Sequence, residues 1–158
     1  VGKGIPFYVF KTRKLREIGG FISYPLAWHS DDATLLKMAN QGCVFLNEIL
    51  FSFRQSGENI SSKKNNALVL KSKITATRSF YDSLPLILSE LSEWNDMDIW
   101  YKQAINSNIR TTRNCMIRSE IEESSKIAIL KSLLFVLRSG VFSNGMLLKL
   151  YIRCLLTK

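Results

Sequence analysis

The stretch IAILKSLLFVLRSG, residues 127–140, indicates most clearly how this chain folds. Its apolar residues recur every three or four positions, which is the spacing of one face of an α-helix. Gly140 follows the last of them, and glycine is common just beyond a helix C-terminus. The stretch therefore predicts a helix that ends at Gly140.

The same helical spacing recurs on both sides of this stretch. It appears at residues 68–80, at residues 99–109 and at residues 146–156. The first of these helices is expected to end near Pro85, because proline has no backbone N–H to continue the hydrogen-bonding pattern. Residues 62–158 are therefore predicted to form a helical C-terminal region.

The chain before residue 62 has a mixed pattern. Short runs of aromatic and β-branched residues at 7–10, 43–46 and 49–53 predict strands. A short helix is predicted between Thr12 and the glycine pair Gly19-Gly20. A second helix, begun by Ser30 or Asp31, is expected to end at Gly42. These patterns predict an α+β fold that is predominantly helical, with few strands.

Composition and charge restrict the class of protein. The 158 residues are 46% hydrophobic and 22% charged, which suits one folded domain and excludes wholesale disorder. Residues 1–61 carry a net charge of +2 and residues 62–158 a net charge of +7. Such a basic region fits nucleic acid, an anionic membrane surface or simply solvent. Without a signal peptide pattern or a long apolar run, we expect a cytoplasmic protein, with peripheral contact at the inner face of the membrane left open.

The most distinctive segment is residues 19–61, GGFISYPLAWHSDDATLLKMANQGCVFLNEILFSFRQSGENIS. It resembles the second half of the catalytic domain of family 2 glycosyltransferases, which have a GT-A fold. The elements of this resemblance are Gly19-Gly20-Phe21, Ser30-Asp31 at the position of the family's acidic pair, Gly42, Phe53-Arg54 and Asn59-Ile60-Ser61. It implies that residues 1–61 form the acceptor-side half of a GT-A domain and that the donor-binding half is absent from this chain.

The resemblance also implies a reaction and the roles of several residues. Inverting transfer needs a base to remove the proton of an acceptor hydroxyl, and the matching residue is Asp31, with Asp32 as the alternative. Arg54 is expected to contact the diphosphate of the nucleotide sugar, and Gly20 to let the backbone approach a sugar. Trp28 is expected either to stack on an acceptor sugar or to lie in the core.

Cofactors and partners follow from the same resemblance. The complete enzyme would use Mg²⁺ or Mn²⁺ bound mainly by the missing half, because no Asp-x-Asp precedes Asp31. The single histidine, His29, excludes a site built on several histidines. The expected partners are a nucleotide diphosphate sugar and a carbohydrate or lipid-linked acceptor, with membrane contact through the basic helical tail. The basic helical tail packs on itself or lies on that membrane surface.

Two other functions compete with this hypothesis. A basic helical module that binds nucleic acid would use the cations of residues 62–158, but no groove-reading motif supports nucleic acid as a partner. An inactive partner subunit of a transferase is the other alternative. Ser56 favours it, because it stands where members of the family often carry histidine.

Overall fold

The computed structural model describes residues 8–39, 42–44, 65–138 and 140. Seven α-helices and one 3₁₀ turn account for 75% of these residues. The helices are α1 (Thr12–Glu17), α2 (Ser30–Ala39), α3 (Ala67–Ser89), α4 (Ser92–Asn95), α5 (Ile99–Glu122), α6 (Lys126–Lys131) and α7 (Leu133–Arg138), and the 3₁₀ turn is Pro25–Ala27.

The predicted α+β fold is wrong for the described part of the chain, which contains no strand and no sheet. Residues 8–10 and 42–44 are irregular rather than extended in a ladder. A short β-branched or aromatic run forms a strand only when a neighbouring strand pairs with it, and these segments find none among the described residues. The predicted strands at 45–46 and 49–53, and the helix at 146–156, lie outside the described residues.

Helices α3 and α5 form an antiparallel pair at the centre of the described structure. Lys73 of α3 pairs with Glu120 of α5 at 3.1 Å, and Asp82 pairs with Arg113 at 2.7 Å. The partners on α5 run in the opposite order to those on α3, so the two helices are antiparallel. Only α4 and two short turns connect them, as is usual for neighbouring antiparallel helices.

Two apolar clusters hold the helices together. The first joins the N-terminal half of α3 to α5, α6 and α7. Its buried residues are Leu70, Ile74, Ile117, Ile121, Ile129 and Val136. The second cluster packs α2 and the loop before it against the C-terminal half of α3. Its buried residues are Ala33, Phe80, Leu84 and Ile87, and Ile22, Tyr24, Leu36, Tyr81 and Ile109 pack against them.

Helix α3 is longer than its sequence predicts, because it continues through Pro85 to Ser89. A proline inside a helix costs about 3 kcal/mol. Leu84 and Ile87, on either side of Pro85, are both buried in the second cluster. Burial of such side chains contributes about 1.5–3 kcal/mol each, which is enough to offset the cost of the proline.

Residues 127–138 are helical, as predicted, but they belong to two helices rather than one. The break falls at Ser132, whose φ is −108° and whose side chain is buried. The Ser132 hydroxyl donates to the carbonyl oxygen of Ala67 at 3.3 Å, in the first turn of α3. The helix is therefore interrupted at Ser132, and the Ser132 side chain joins the junction of α6 and α7 to α3 by this hydrogen bond.

None of the helices that can be described is both long enough and apolar enough to span a lipid bilayer. The predicted division of the chain at 61/62 falls among residues outside the described ranges and stays a prediction.

Candidate functional site

The candidate site is centred on the loop between the glycine pair and helix α2. Helix α1 ends at Gly19 and Gly20, which have φ values of +88° and +92°. Only glycine adopts this left-handed region without strain, so the pair ends the helix as predicted. The backbone N–H of Gly20 donates to the carbonyl oxygen of Leu15 at 2.8 Å, which fixes the direction in which the chain leaves α1.

Two side chains of α2 hold the segment that follows the glycine pair. The hydroxyl of Thr34 accepts a hydrogen bond from the backbone N–H of Ile22 at 3.0 Å. The hydroxyl of Ser30 accepts one from the backbone N–H of Tyr24 at 3.2 Å. Because both hydroxyls belong to the first two turns of α2, the loop is held against the helix that carries the acidic pair.

Three residues of this loop have left-handed backbones although they are not glycine. The φ values of Leu26, Ala27 and His29 are +59°, +54° and +66°. Each such residue costs about 1–2 kcal/mol and persists only when the surrounding structure imposes it. Strained backbone of this kind is concentrated at functional sites, so the loop has the local character of a binding or catalytic loop.

His29 is fixed by contacts on both ring nitrogens and on one ring face. Its Nδ1 lies 3.3 Å from Asp32 Oδ2 and its Nε2 lies 3.1 Å from the Thr77 hydroxyl. Its ring stacks on Phe80 with centroids 4.8 Å apart and an interplanar angle of 9°. The imidazole therefore connects the strained loop, α2 and α3. It is a positioning group with no free nitrogen for proton transfer.

Asp31 and Asp32 occupy the first turn of α2 and differ in their surroundings. Asp32 contacts His29, whereas the carboxylate of Asp31 has no hydrogen bond or ion pair with any side chain in the described ranges. Both residues are partly exposed. A helix N-terminus stabilises negative charge, so the pair can hold two carboxylates near one another.

Two tyrosine side chains lie close to this acidic pair. Burial, followed by the charges of Asp32 and Asp31, raises the pKa of Tyr8 above its usual value. Burial and the charge of Asp32 likewise raise the pKa of Tyr81. Both phenols therefore stay protonated near neutral pH and can donate hydrogen bonds at the edge of the acidic pair.

A buried ion pair between α3 and α5 contacts the loop through Trp28. The Lys73 ammonium lies 3.1 Å from Glu120 Oε2, and both side chains are almost completely buried. The Asn65 side-chain N–H donates to the same carboxylate at 3.2 Å. The ammonium also lies 4.1 Å from the centroid of the Trp28 ring, which is within the range of a cation–π interaction.

Three of the five predicted site residues are neighbours in the chain. Trp28, Asp31 and Asp32 lie within residues 28–32. Gly20 lies earlier in the chain, just before the loop that is held against α2. An added Cβ at Gly20 would meet no atom within 4 Å, so its surroundings are open. Trp28 presents a ring face to Lys73, which leaves that face closed to a sugar. Arg54 lies outside the described residues.

The expected Mg²⁺ or Mn²⁺ finds no set of ligands here. Within the described ranges, no group of three or more His, Cys, Asp or Glu side chains could hold a metal ion. Asp96 and Asp98, the one Asp-x-Asp string, lie at the turn between α4 and α5. A divalent cation therefore stays a prediction.

Sequence reasoning did not identify Lys73, Thr77 and Glu120 as parts of this site. A signal was present in the spacing, because Lys73 and Thr77 fall on the same helical face as the apolar residues of α3. Glu120 likewise lies between Ile117 and Ile121 on the buried side of α5. A charged residue at a core position of an amphipathic helix predicts a buried partner of opposite charge.

Comparisons with known proteins add no assignment. No family model matches the chain, and neither the curated proteins nor the solved structures include a similar one.

Proposed function

We propose that this chain supplies the acceptor side of an inverting sugar transferase, with the carboxylate of Asp31 as the general base. Asp31 would take the proton of an acceptor hydroxyl while that oxygen bonds to the anomeric carbon of a nucleotide diphosphate sugar. The bond from the anomeric carbon to the diphosphate breaks in the same step, and the nucleoside diphosphate leaves with the bonding electrons. A positioned base of this kind contributes about 10²–10⁴-fold to the rate.

The observation that carries this proposal is the contrast between the two carboxylates. Asp32 is held by His29, whereas Asp31 is partly exposed and its carboxylate has no hydrogen bond or ion pair with a side chain in the described part of the chain. A base must have a lone pair available to the incoming hydroxyl, and Asp31 meets that requirement. The rigid loop and the buried groups beneath it supply the fixed geometry that a catalytic base needs.

The chemistry around Asp31 also suits a sugar. The neighbouring phenols of Tyr8 and Tyr81 remain protonated, so each can donate a hydrogen bond to a sugar hydroxyl or accept one from it. Their rings add apolar surface beside the carboxylates, which suits the carbon–hydrogen faces of a pyranose. The predicted contact of Arg54 with the diphosphate belongs to the same proposal.

A pair of matched variants tests the proposal in the longest natural form of the protein that contains this chain. The rate of nucleoside diphosphate release is measured with a panel of nucleotide sugars and acceptors, and the melting temperature is measured in parallel. We expect Asp31→Asn to lower the rate about 10²-fold or more, with a smaller fall in melting temperature than Asp32→Asn causes, because Asp31 loses only its interaction with the helix N-terminus. Asp32→Asn should lower the melting temperature, because it weakens the contact with His29. An unchanged rate for Asp31→Asn would remove the proposed base.

A further inference from the structure

A basic and apolar surface is formed by the first turns of α3 together with α6 and α7, and none of its residues takes part in the proposed reaction. Five of its apolar side chains are exposed by 41–75%: Leu68, Ile127, Leu130, Leu134 and Leu137. The same three helices carry four cations, of which Lys71, Lys131 and Arg138 are exposed and Lys126 is partly exposed. We refer to these nine residues, on α3, α6 and α7, as the basic–apolar surface.

The surface is continuous. A cavity of about 320 Å³ between α3 and α6 is lined by Leu68, Ile127 and Lys131, among others. A second cavity, of about 490 Å³, is lined by Lys71, Lys131, Leu134 and Arg138, among others. Because Lys131 lines both cavities, the seven of the nine residues that line one or the other belong to one surface. The other two, Lys126 and Leu137, are sequence neighbours of Ile127 and Arg138.

The charge of this surface has one sign. Residues 65–81 and 124–138 contain no Asp or Glu. No carboxylate appears among the described residues that line either cavity. The nearest acidic side chain of the core, Glu120, is buried and paired with Lys73. Glu122 and Glu123, exposed at the end of α5, come shortly before α6 in the chain, but no ion pair joins them to these cations in the described structure. The cations are therefore available to an anionic partner.

We propose that the basic–apolar surface docks on an anionic phospholipid bilayer, with its leucine and isoleucine side chains inserted among the headgroups. Helices that lie in a membrane interface combine exposed aliphatic residues with lysine and arginine on the flanks, as α6 and α7 do. Protein–protein interfaces are instead depleted in lysine and enriched in aromatic residues. Docking of this kind is independent of the transferase proposal, because it requires neither Asp31 nor a sugar donor.

Flotation with lipid vesicles tests the docking directly. The protein is mixed with vesicles of phosphatidylcholine alone, or with vesicles that also contain phosphatidylglycerol, and the bound fraction is measured. We expect binding to the anionic vesicles only, with a partition coefficient that falls as salt is raised. Absence of binding to the anionic vesicles, or equal binding to both kinds, would overturn the proposal.

Charge-reversal variants locate the surface. Each cation near an anionic bilayer contributes roughly a fivefold factor in binding, so the double variant Lys131→Glu/Arg138→Glu should lose about thirtyfold or more. The matched control, Lys11→Glu/Arg110→Glu, makes the same change at two exposed cations outside the surface. A loss of similar size in the control would overturn the assignment to this surface.

Apolar variants separate a membrane from the other partners of a basic surface. Leu134→Ser and Ile127→Ser should each lower vesicle binding by about tenfold, because each removes an inserted side chain. Leu86→Ser is the control, since Leu86 is as exposed as Ile127 (67% and 65%) but lies at the far end of α3. If duplex DNA displaces the vesicles and the serine variants bind as the original chain does, the partner is nucleic acid and the proposal is wrong. If the serine variants are much less stable than Leu86→Ser, the chain itself covers the surface, and the proposal also fails.

Discussion

Removal of Glu120 should destabilise this protein more than the loss of any exposed ion pair. The carboxylate lies 3.1 Å from the Lys73 ammonium, and only 2% of the lysine side chain and 5% of the glutamate side chain are exposed. Glu120→Leu would leave the ammonium buried, with the Trp28 ring as its remaining described contact. Breaking a buried pair in this way costs about 3–5 kcal/mol, most of it from the uncompensated charge.

The double variant Lys73→Met/Glu120→Leu separates charge from packing. It replaces both partners by apolar side chains of similar size, and such replacements are often neutral or stabilising. We therefore expect the double variant to recover most of the free energy of unfolding that Glu120→Leu loses. The two substitutions should be strongly non-additive, because each removes the partner of the other.

An exposed ion pair between the same two helices provides the control. Asp82 pairs with Arg113 at 2.7 Å, but its side chain is 56% exposed. Asp82→Ala should therefore cost no more than about 1 kcal/mol. Urea denaturation followed by far-ultraviolet circular dichroism gives the free energy of each variant. A cost for Glu120→Leu similar to that of Asp82→Ala would refute the claim that Lys73 and Glu120 compensate each other's charge in the core. Additive costs in the double variant would refute it as well.

Three further predictions test other parts of the structure. Asn66→Ala should lower the free energy of unfolding by about 1 kcal/mol, measured in urea, because the Asn66 side chain caps α3 by accepting two backbone N–H groups. Gly20→Ala should cost about 1–2 kcal/mol in the same assay despite the open space around it, because its φ is +92°. Asp32→Asn should lower the pKa of Tyr81 toward 10.0, as read from phenolate absorbance, because it removes a nearby negative charge. Since that pKa is raised in the folded state, the stability contributed by the phenol is fully present below pH 10.0 and is lost as the pH rises through the folded value.

Local spacing predicted the helices well and their ends less well. The glycine pair ends α1, and the apolar periodicity of residues 99–109 marks the first half of α5. Pro85 does not end α3, and Ser132 does end α6. Both differences come from tertiary contacts, because side chains on either side of Pro85 are buried together and Ser132 bonds to α3. Such contacts join residues that are far apart in the sequence.

The strand predictions failed at residues 8–10 and 43–44 for a related reason. A strand requires a partner, and a single sequence does not reveal which segment that partner is. The proposed site residues Trp28, Asp31 and Asp32 are neighbours in the sequence, and their roles stay predictions. The contacts of the surrounding groups could not be predicted from the sequence, because they join distant residues. Thr77 is 48 residues from His29, and Lys73 is 47 residues from Glu120.

Chemical rescue tests the central proposal, that Asp31 acts as a base, most directly. Asp31→Ala leaves a gap beside the acceptor hydroxyl that formate can enter as an external base, so added formate should restore part of the lost rate of nucleoside diphosphate release. The same addition should not restore the rate of Asp32→Ala, whose defect lies in positioning. A rate for Asp31→Ala equal to that of the unmodified protein, with or without formate, would contradict the assignment of Asp31 as the base.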